Sequence, residues 1–302
     1  MVITMSDKAV EKDSQVVKKS IVTETTEVIA KILPAIADSS KREISAMERV
    51  KMARRADRPR ASDYISGLFD DFFETHGDRL GADDGALMCG IATFEGVPIT
   101  VAATVKGTDL DSNLACNFGM VSPQGYRKFQ RAARQAEKFG RPIITFIDTP
   151  GASPTAQAEE GGQGEAIARC LYELSALKTP IIAVFTGEGG SGGALALGLA
   201  DRVIMLENAV YSVLSPEGFA SILWKDASRA TEAAEVMKLT ARDLQRAGVA
   251  DVIVREPRGG AGVNHAIVMR ALRSILRRTL GELRDVEISE MLEKRYEKFR
   301  KF

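Results

Sequence analysis

The strongest chemical signal in the sequence is a glycine-rich turn that separates an apolar run from a run of small residues. The apolar run, residues 181–185, is continuous and bounded by Pro180 and Gly187, which is typical of a buried strand. Five of the seven residues 187–193 are glycine, and residues 194–200 have the alanine and leucine content of a helix. A strand, a glycine turn and a helix in this order direct backbone N–H groups at negative charge. This stretch is therefore the predicted functional site.

The residue pattern of this turn fits two widespread motifs. Residues 187–192 match the dinucleotide-binding pattern G-x-G-x-x-G, and Glu207 lies twenty residues beyond the first glycine, as that pattern requires. Residues 189–193 match the serine-hydrolase pattern G-x-S-x-G, with Ser191 as the nucleophile. The chain has two histidines, and His265 follows the serine, as the base of such a hydrolase does. Both functions remain open at the level of the motif.

A third interpretation of the turn needs no catalytic side chain. The backbone N–H groups of Gly192 and Gly193, at the start of a helix, can stabilise an enolate or acyl oxyanion by roughly 3 kcal/mol per donor. A second predicted strand, residues 142–147, also leads into a proline–glycine turn. Because ligands bind beyond the carboxyl ends of parallel strands, we expect the two turns to converge, with Gly151 and Ala152 as further donors.

The elements that must position these turns follow from the pattern of the remaining chain. Strands and helices alternate between residues 142 and 206, which indicates β-crossover-β units and a sheet covered by helices. Two further strands, 86–94 and 97–105, flank a two-residue hairpin signal. A helix is predicted over residues 62–73, and the C-terminal third is predicted to be mainly helical. The sequence thus predicts an α/β fold.

Composition limits the function classes. Of 302 residues, 45% are hydrophobic and 27% charged, which is ordinary for a globular protein. Lys plus Arg and Asp plus Glu both number 41, so the balance argues against nucleic acid as the main partner. Three scattered cysteines form no CxxC pair, which argues against a zinc ribbon and favours a reducing compartment. No apolar run reaches membrane-spanning length, and no signal peptide is recognised, so a cytoplasmic protein is expected.

Four arginines in residues 53–60 form a basic cluster: Arg54, Arg55, Arg58 and Arg60. The favoured interpretation is a solvated surface. The alternative is a contact for a phosphate-bearing ligand or a partner subunit.

A series of motifs in a fixed order ranks the three interpretations of the glycine turn. The motifs are His76-Gly-Asp-Arg79 with Asp83-Asp84, Asn117-Phe-Gly-Met120, Pro123-Gln-Gly-Tyr-Arg-Lys128, Thr145-Phe-Ile-Asp-Thr-Pro-Gly-Ala152, Gly187-Glu-Gly-Gly-Ser-Gly-Gly-Ala-Leu-Ala196, Tyr211-Ser-Val-Leu-Ser-Pro-Glu-Gly218, Ser221-Ile-Leu-Trp-Lys225 and Glu256-Pro-Arg-Gly-Gly-Ala261. Together they closely resemble the carboxyltransferase α subunit of the multisubunit bacterial and plastid acetyl-CoA carboxylase. The resemblance runs from about Arg58 to the C terminus, and such a series is far more specific than one glycine pattern.

The resemblance implies a fold and a domain organisation. The expected fold is an α/β, crotonase-like (ClpP/crotonase) superhelix of ββα units with a helical N-terminal arm and C-terminal helices. The expected divisions are a partly flexible helical arm over residues 1–55, a carboxyltransferase domain over 56–284 and a C-terminal helix over 285–302.

The resemblance also implies partners and a reaction. The family forms an α2β2 heterotetramer with a carboxyltransferase β subunit, which carries the zinc, so no metal is expected on this chain. The other expected partners are the biotin carboxyl carrier protein, biotin carboxylase and an acyl-CoA substrate, with no membrane and no nucleic acid. The reaction moves a carboxyl group from carboxybiotin, presented by the carrier protein, to acetyl-CoA, and malonyl-CoA results. The biotin ureido anion can take the methyl proton, so no protein base is required.

The resemblance further assigns roles within the glycine turn. Gly192 and Gly193 become the oxyanion hole on the carboxybiotin side, and Gly189, Gly190 and Ser191 become the residues that bind this cofactor. Ser191 is then a turn residue rather than a nucleophile.

Three segments depart from the family pattern near the expected cleft. A commonly basic segment carries Asp109 and Asp111 here, an aromatic residue and a glycine are replaced by Ser153 and Thr155, and an arginine is replaced by Gly161. These losses leave open a paralogue with another acyl-CoA acceptor, or an assembly scaffold without catalysis.

Overall fold

The computed structural model describes residues 44–302, of which Ser45–Phe302 form one compact unit. Most of the predicted N-terminal arm lies outside the described residues. The predicted divisions at residues 55 and 284 therefore stay predictions.

Eight strands of the described residues form one sheet in the order β1-β2-β3-β4-β5-β6-β8, and β7 pairs with β5. The strands are β1 Asp70–Glu74, β2 Leu87–Phe94, β3 Val97–Thr104, β4 Ile143–Thr149, β5 Ile181–Gly190, β6 Arg202–Leu206, β7 Val210–Ser212 and β8 Val252–Val254. The β1–β2 and β2–β3 pairs are antiparallel, and the pairs from β3 through β8 are parallel.

Twelve α-helices accompany the sheet within residues 44–302. They are α1 Ala46–Ala53, α2 Ala61–Leu68, α3 Leu110–Ala115, α4 Pro123–Lys138, α5 Ala156–Glu160, α6 Gln163–Ala176, α7 Ser191–Gly198, α8 Pro216–Trp224, α9 Ala230–Val236, α10 Ala241–Arg246, α11 His265–Arg284 and α12 Ile288–Phe299. Within this part of the chain, no helix combines the length and apolar character needed to cross a bilayer. The predicted helices of the C-terminal third are confirmed, although the short strand β8 was not predicted.

The β2–β3 hairpin confirms the predicted two-residue turn. Residues Phe94 and Val97 are paired across it, and Glu95 and Gly96 both have positive φ, of 50° and 82°. Positive φ at both central positions gives the twist that joins antiparallel strands, and glycine adopts it without strain.

The predicted helix over residues 62–73 is too long. Helix α2 ends at Leu68, and residues 70–74 form β1, which pairs with β2 instead. Phe69, at the break, is buried against the rings of Phe94 and Phe146. Pairing with β2 and burial of Phe69 outweigh the helical spacing of the apolar residues.

The central strands explain why the sequence of the middle of the chain predicts alternating strands and helices. Every residue of β4 is buried, as expected for a parallel strand covered on both faces. Strand β5 is longer than the predicted 181–185, because its second half leaves β6 and pairs with β7 through residues 188–190. The carboxyl end of β5 therefore pairs with β4 through Gly189 and with β7, and it carries the first glycines of the turn.

Candidate active site

The glycine turn after β5 lies in contact with the turn after β4. A Cβ on Gly190 would lie 2.0 Å from the Pro150 carbonyl oxygen, and one on Gly193 would lie 2.4 Å from the Ala152 nitrogen. Only glycine permits this approach of two backbones. The expected convergence of the two turns is confirmed.

Helix α7 begins inside the glycine turn without a side-chain cap. Its N-cap is Gly190, which has no side chain to accept a hydrogen bond, and Ser191 opens the helix with a φ of 50°. Gly192 and Gly193 follow, in the first helical turn, where backbone N–H groups have no acceptor within the helix. The predicted oxyanion donors thus stand at a bare helix N terminus, where the helix dipole also favours negative charge.

The turn after β4 supplies one open donor rather than two. The Gly151 N–H donates to Thr149 Oγ1 at 3.1 Å, so this predicted donor is already engaged. The Ala152 N–H has no acceptor among the described residues, and this residue lines the same cavity as Gly192. Of the pair Gly151 and Ala152, the geometry therefore favours Ala152 as the donor.

Both turns line one cavity of about 790 Å³. Its wall includes all the predicted site residues of the two turns: Gly151, Ala152, Gly189, Gly190, Ser191, Gly192 and Gly193. The sequence did not predict three further parts of the wall, which are residues 212–216 after β7, Gln163 of α6, and Val50 with Arg54 at the α1 end. Those residues come from elements far apart in the chain, and of them only Arg54 carried a local signal, through the alternative interpretation of the basic cluster as a ligand contact.

A buried carboxylate contacts the part of β5 that leads into the glycine turn. Asp148, in β4, accepts hydrogen bonds from Lys106 Nζ at 2.6 Å and from the Glu188 N–H at 3.0 Å, and Arg60 Nη1 lies 3.4 Å away. A Cβ on Gly187 would collide with it at 2.5 Å. Burial alone would raise the pKa of Asp148, but Lys106, the Glu188 N–H and Arg60 outweigh burial and hold this pKa below its ordinary value.

An ion-pair bridge crosses the wall of the cavity. Arg54 Nη2 lies 2.7 Å from Glu188 Oε1, and Arg54 Nη1 lies 2.8 Å from Glu217 Oε1. Glu188 lies near the end of β5 and Glu217 is in the first turn of α8, so Arg54 joins the two. Burial opposes the charge of Arg54, but the hydrogen bonds that Arg54 donates to Glu217 and Glu188 outweigh it and raise the pKa of Arg54.

The predicted solvated surface is wrong for Arg58 in the arginine cluster, while a contact with a ligand or a partner subunit stays a prediction. Arg58 is buried and donates to both Glu256 oxygens, at 2.8 and 3.0 Å, and to the Thr186 carbonyl. Arg60 pairs with Asp148, Arg54 with two glutamates, and Arg55 with a neighbouring aspartate. The positive charge of the cluster is therefore balanced within the chain.

The serine-hydrolase interpretation finds no support in the structure. His265 Nε2 lies 3.0 Å from the Asp57 carbonyl oxygen, and His76 Nδ1 lies 2.9 Å from Asp83 Oδ2. Both rings have partners elsewhere, so no histidine of the described residues serves as a base for Ser191.

The dinucleotide interpretation also loses its structural context. That motif needs its glycines in a tight loop between strand and helix. Here Gly187, Gly189 and Gly190 are residues of β5, and two of them pair with β7.

The segments that depart from the family pattern have local structural roles. Asp109 caps α3 by accepting from the Ser112 N–H at 2.9 Å. Thr155 caps α5 by accepting from the Ala158 N–H at 3.2 Å, and Ser153 Oγ lies 3.3 Å from Thr155 Oγ1. Caps of this kind explain the residue types without a ligand.

No group of three or more His, Cys, Asp or Glu side chains within residues 44–302 is arranged to hold a metal ion. The three cysteines, Cys89, Cys116 and Cys170, are free and buried. Burial raises the pKa of both Cys89 and Cys170 to about 12, so these thiols are unreactive at neutral pH.

Comparison with known sequences identifies close relatives. Residues 3–302 match the family model described as acetyl co-enzyme A carboxylase carboxyltransferase-like. The acetyl-coenzyme A carboxylase carboxyl transferase subunit alpha of Clostridium botulinum (strain Eklund 17B) is 55% identical over 257 residues, which cover 85% of this chain and 94% of that protein. The protein of the same name from Halalkalibacterium halodurans is 51% identical over 275 residues, 91% of this chain and 85% of that protein.

Solved structures share the fold at low sequence identity. Transcarboxylase 12S, in a structure with methylmalonyl-coenzyme A and methylmalonic acid bound, matches 81% of this chain and 46% of its own, with a TM-score of 0.61 and 20% identity. A Pseudomonas malonate decarboxylase hetero-tetramer in complex with coenzyme A matches 71% of this chain and 85% of its own, with a TM-score of 0.60 and 18% identity. The expectation of a crotonase-like fold is confirmed.

Proposed function

This chain belongs to the acetyl-CoA carboxylase carboxyltransferase α-subunit family, and we propose that its glycine turn forms the carboxybiotin half of the active site. The chain is a transferase, and its reaction is the carboxyl transfer that makes malonyl-CoA from acetyl-CoA for fatty acid synthesis. The finer assignments that follow concern its site residues, its carboxyl donor and its partners.

One observation carries the proposal for the site. Gly192 and Gly193 present first-turn N–H groups at an uncapped helix N terminus, and this terminus opens into a cavity shared with the Ala152 turn. Preorganised backbone donors stabilise charge that develops during reaction, because they need not reorient. In our proposal these donors bind the oxygen of the biotin ureido group, which gains negative charge as the carboxyl group leaves. Gly189, Gly190 and Ser191 form the adjoining wall against the same ligand.

The bond changes balance without a protein base. The N–C bond of carboxybiotin and one methyl C–H bond of acetyl-CoA break, a C–C bond forms, and the proton ends on the ureido nitrogen. The chain's role in this scheme is to bind and orient the donor and to stabilise charge. The engagement of both histidines elsewhere is consistent with that role.

The family implies a multisubunit enzyme, and we propose specific partners within it. A carboxyltransferase β subunit completes an α2β2 assembly, supplies the zinc and binds the thioester enolate. The biotin carboxyl carrier protein presents the donor that biotin carboxylase has charged. A cytoplasmic location is proposed on the strength of three free, buried cysteines, which suit a reducing compartment.

A pair of variants at one glycine tests the oxyanion role. Gly192→Ala keeps the backbone N–H, and its Cβ would find no atom closer than 3.7 Å in its surroundings. Gly192→Pro removes the N–H at a position in the first helical turn, where proline is tolerated. We expect kcat of the α–β complex for carboxyl transfer to fall about 100-fold or more in the proline variant, and less than about 10-fold in the alanine variant.

Assembly and melting temperature are measured on the same samples. Equal transfer by the two variants, with intact assembly, would show that the N–H is not a catalytic donor. A scaffold without catalysis would assemble normally, and its wild-type complex would transfer no carboxyl group. Ser191→Ala should not abolish activity, since the serine is assigned to the turn and to the wall of the site and not to nucleophilic attack.

A further inference from the structure

The active-site cavity contains one cationic side chain among the residues that the structure describes. That side chain is Arg54, from the end of α1, and the only anionic residues on the wall are Glu159 and Glu188. A carboxyltransferase must recognise a carboxylate on the donor before transfer and on the product after transfer, although the group that passes between them is neutral CO2. Backbone N–H groups favour a developing oxyanion, but a full carboxylate is bound best by a guanidinium, which offers two parallel donors.

We propose that Arg54 binds the carboxylate of carboxybiotin before transfer and that of malonyl-CoA after it, and that Glu217 occupies the place of this carboxylate when no substrate is present. This inference rests on the proposed function, because it names the group at that same site that recognises the transferred carboxylate.

The two carboxylates bound to Arg54 differ in how readily they can be displaced. The Glu188 side chain is 15% exposed, and its carboxylate lies 3.7 Å from Lys106 Nζ. The backbone N–H of Glu188 also donates a hydrogen bond to Asp148. The Glu217 side chain is 46% exposed, and its bonds to Arg54 measure 2.8 and 3.3 Å. An exposed ion pair is weak, so the Glu217 side of the guanidinium can be given up to a ligand.

Charge balance supports this exchange. The connected groups comprise three cations and three anions, so their formal charges sum to zero: Arg54, Arg60, Lys106, Asp148, Glu188 and Glu217. When Glu217 withdraws, the remaining groups sum to +1, which matches one incoming carboxylate. Because Glu188 keeps its contact, Arg54 stays fixed to the end of β5 while its other face changes partner.

The geometry links carboxylate binding to the glycine turn. Glu188 is four residues before Gly192 in a strand whose end is paired with β7, so Arg54 is anchored to the same rigid element that presents the oxyanion donors. Glu217 is in α8, directly after the cavity residues 212–216. Arg54 is therefore placed to hold the carboxylate near the donors, as a substrate-binding residue.

The test compares ligands that differ by one carboxylate. In the α–β complex, malonyl-CoA and biotin are used for the reverse transfer, and acetyl-CoA is titrated as a competitive inhibitor. We expect Arg54→Gln to raise the KM for malonyl-CoA about 10- to 100-fold and to leave the inhibition constant of acetyl-CoA unchanged. Forward transfer from carboxybiotin, with uncarboxylated biotin as the competitor, applies the same comparison to the donor.

Two further variants separate binding from a merely structural role. Glu217→Gln removes the competing carboxylate, so the KM for malonyl-CoA should fall about two- to fivefold. Arg277→Gln is the matched control, because Arg277 also pairs with a glutamate, Glu95, but does not line this cavity. It should change neither constant.

The outcomes are distinguishable. If the wild-type complex transfers carboxyl groups but Arg54→Gln raises the constants for carboxylated and uncarboxylated ligands equally, or raises neither, the inference is overturned and the proposed function stands. A rise in KM on Glu217→Gln would also overturn the exchange, since it would make Glu217 a support for Arg54. An inactive wild-type complex would overturn the proposed function and this inference together.

Discussion

Two arginines of this chain, Arg295 and Arg54, bind carboxylates in opposite ways. Arg295, in α12, is 1% exposed and has every guanidinium nitrogen engaged: Asp201 accepts from Nε and Nη2, and three backbone carbonyls accept the remaining bonds. Arg54 is 34% exposed, bridges two glutamates and faces a cavity. Both are salt bridges by distance, but only one can change partner.

The difference lies in solvation. A buried ion pair has already lost its water, so removal of one partner strands the other charge at high cost. A partly exposed pair has lost less hydration, and a ligand or water can replace its more exposed partner at a lower cost. The fold thus uses one arginine to fasten its C-terminal helix and leaves the other available to the site.

The largest expected effect is on stability at the buried arginine. Arg295→Met leaves Asp201 buried without its cation, and three carbonyls lose their donor. We expect the free energy of unfolding, measured by urea denaturation, to fall by about 3–5 kcal/mol. Arg284→Met, at an arginine that is 77% exposed, is the control and should change it by less than about 0.5 kcal/mol. A loss below about 1 kcal/mol at Arg295 would remove the contrast between the two arginines.

Two neighbouring glycines differ in packing, as the two arginines differ in burial. A Cβ at Gly193 would lie 2.4 Å from the Ala152 nitrogen, whereas one at Gly192 meets nothing closer than 3.7 Å. We expect Gly193→Ala to cost about 1–3 kcal/mol in unfolding free energy, because one turn must shift. Gly192→Ala should cost less than about 0.5 kcal/mol, since helix propensity favours alanine. Equal losses would show that the two turns adjust to each other more freely than their backbone contact suggests.

Asp148, the buried carboxylate behind the glycine turn, should make the free energy of unfolding depend on pH in the acidic range. The pKa of Asp148 is lower in the folded chain than in the unfolded one, so its stabilising contribution is present above the unfolded value of about 3.9. That contribution is lost as pH falls through the folded-state pKa. In Asp148→Asn the slope of unfolding free energy against pH below about pH 4 should be smaller, by at most about 1.4 kcal/mol per pH unit. Identical slopes in the two proteins would mean that Asp148 does not titrate with folding.

Of the two arginines that are compared, Arg54 has the smaller expected effect on stability. Both of its partners stay near solvent or retain other donors, so Arg54→Gln should lower the unfolding free energy by no more than about 1 kcal/mol. The loss of unfolding free energy for Arg54→Gln is expected to be the smaller one when it is measured beside that for Arg295→Met. A loss of 3 kcal/mol or more would make Arg54 a structural fastener like Arg295, and its effect on substrate binding could not then be read as recognition.

Local sequence was sufficient for much of the fold and for the core of the site. The apolar run before Gly187 predicts a buried strand, and the glycines after it predict a turn in which backbone can approach backbone or a ligand closely. The hairpin at Glu95 and the helix that begins at Pro123 follow from conformations that those residues prefer. Such features depend on interactions between residues that are close in the sequence, so local residue types are enough to predict them.

Other features depend on contacts between distant residues. Residues 70–74 have helical spacing but form a strand, since β2 provides a partner for their backbone. The sequence favoured a solvated surface for the basic cluster. The structure pairs its arginines with Glu188, Glu217, Asp148 and Glu256. Arg54 and Glu188 are 134 positions apart, and no local pattern encodes their meeting. Whether a charge fastens the fold or faces a ligand is set by burial, and burial is a property of the packed chain.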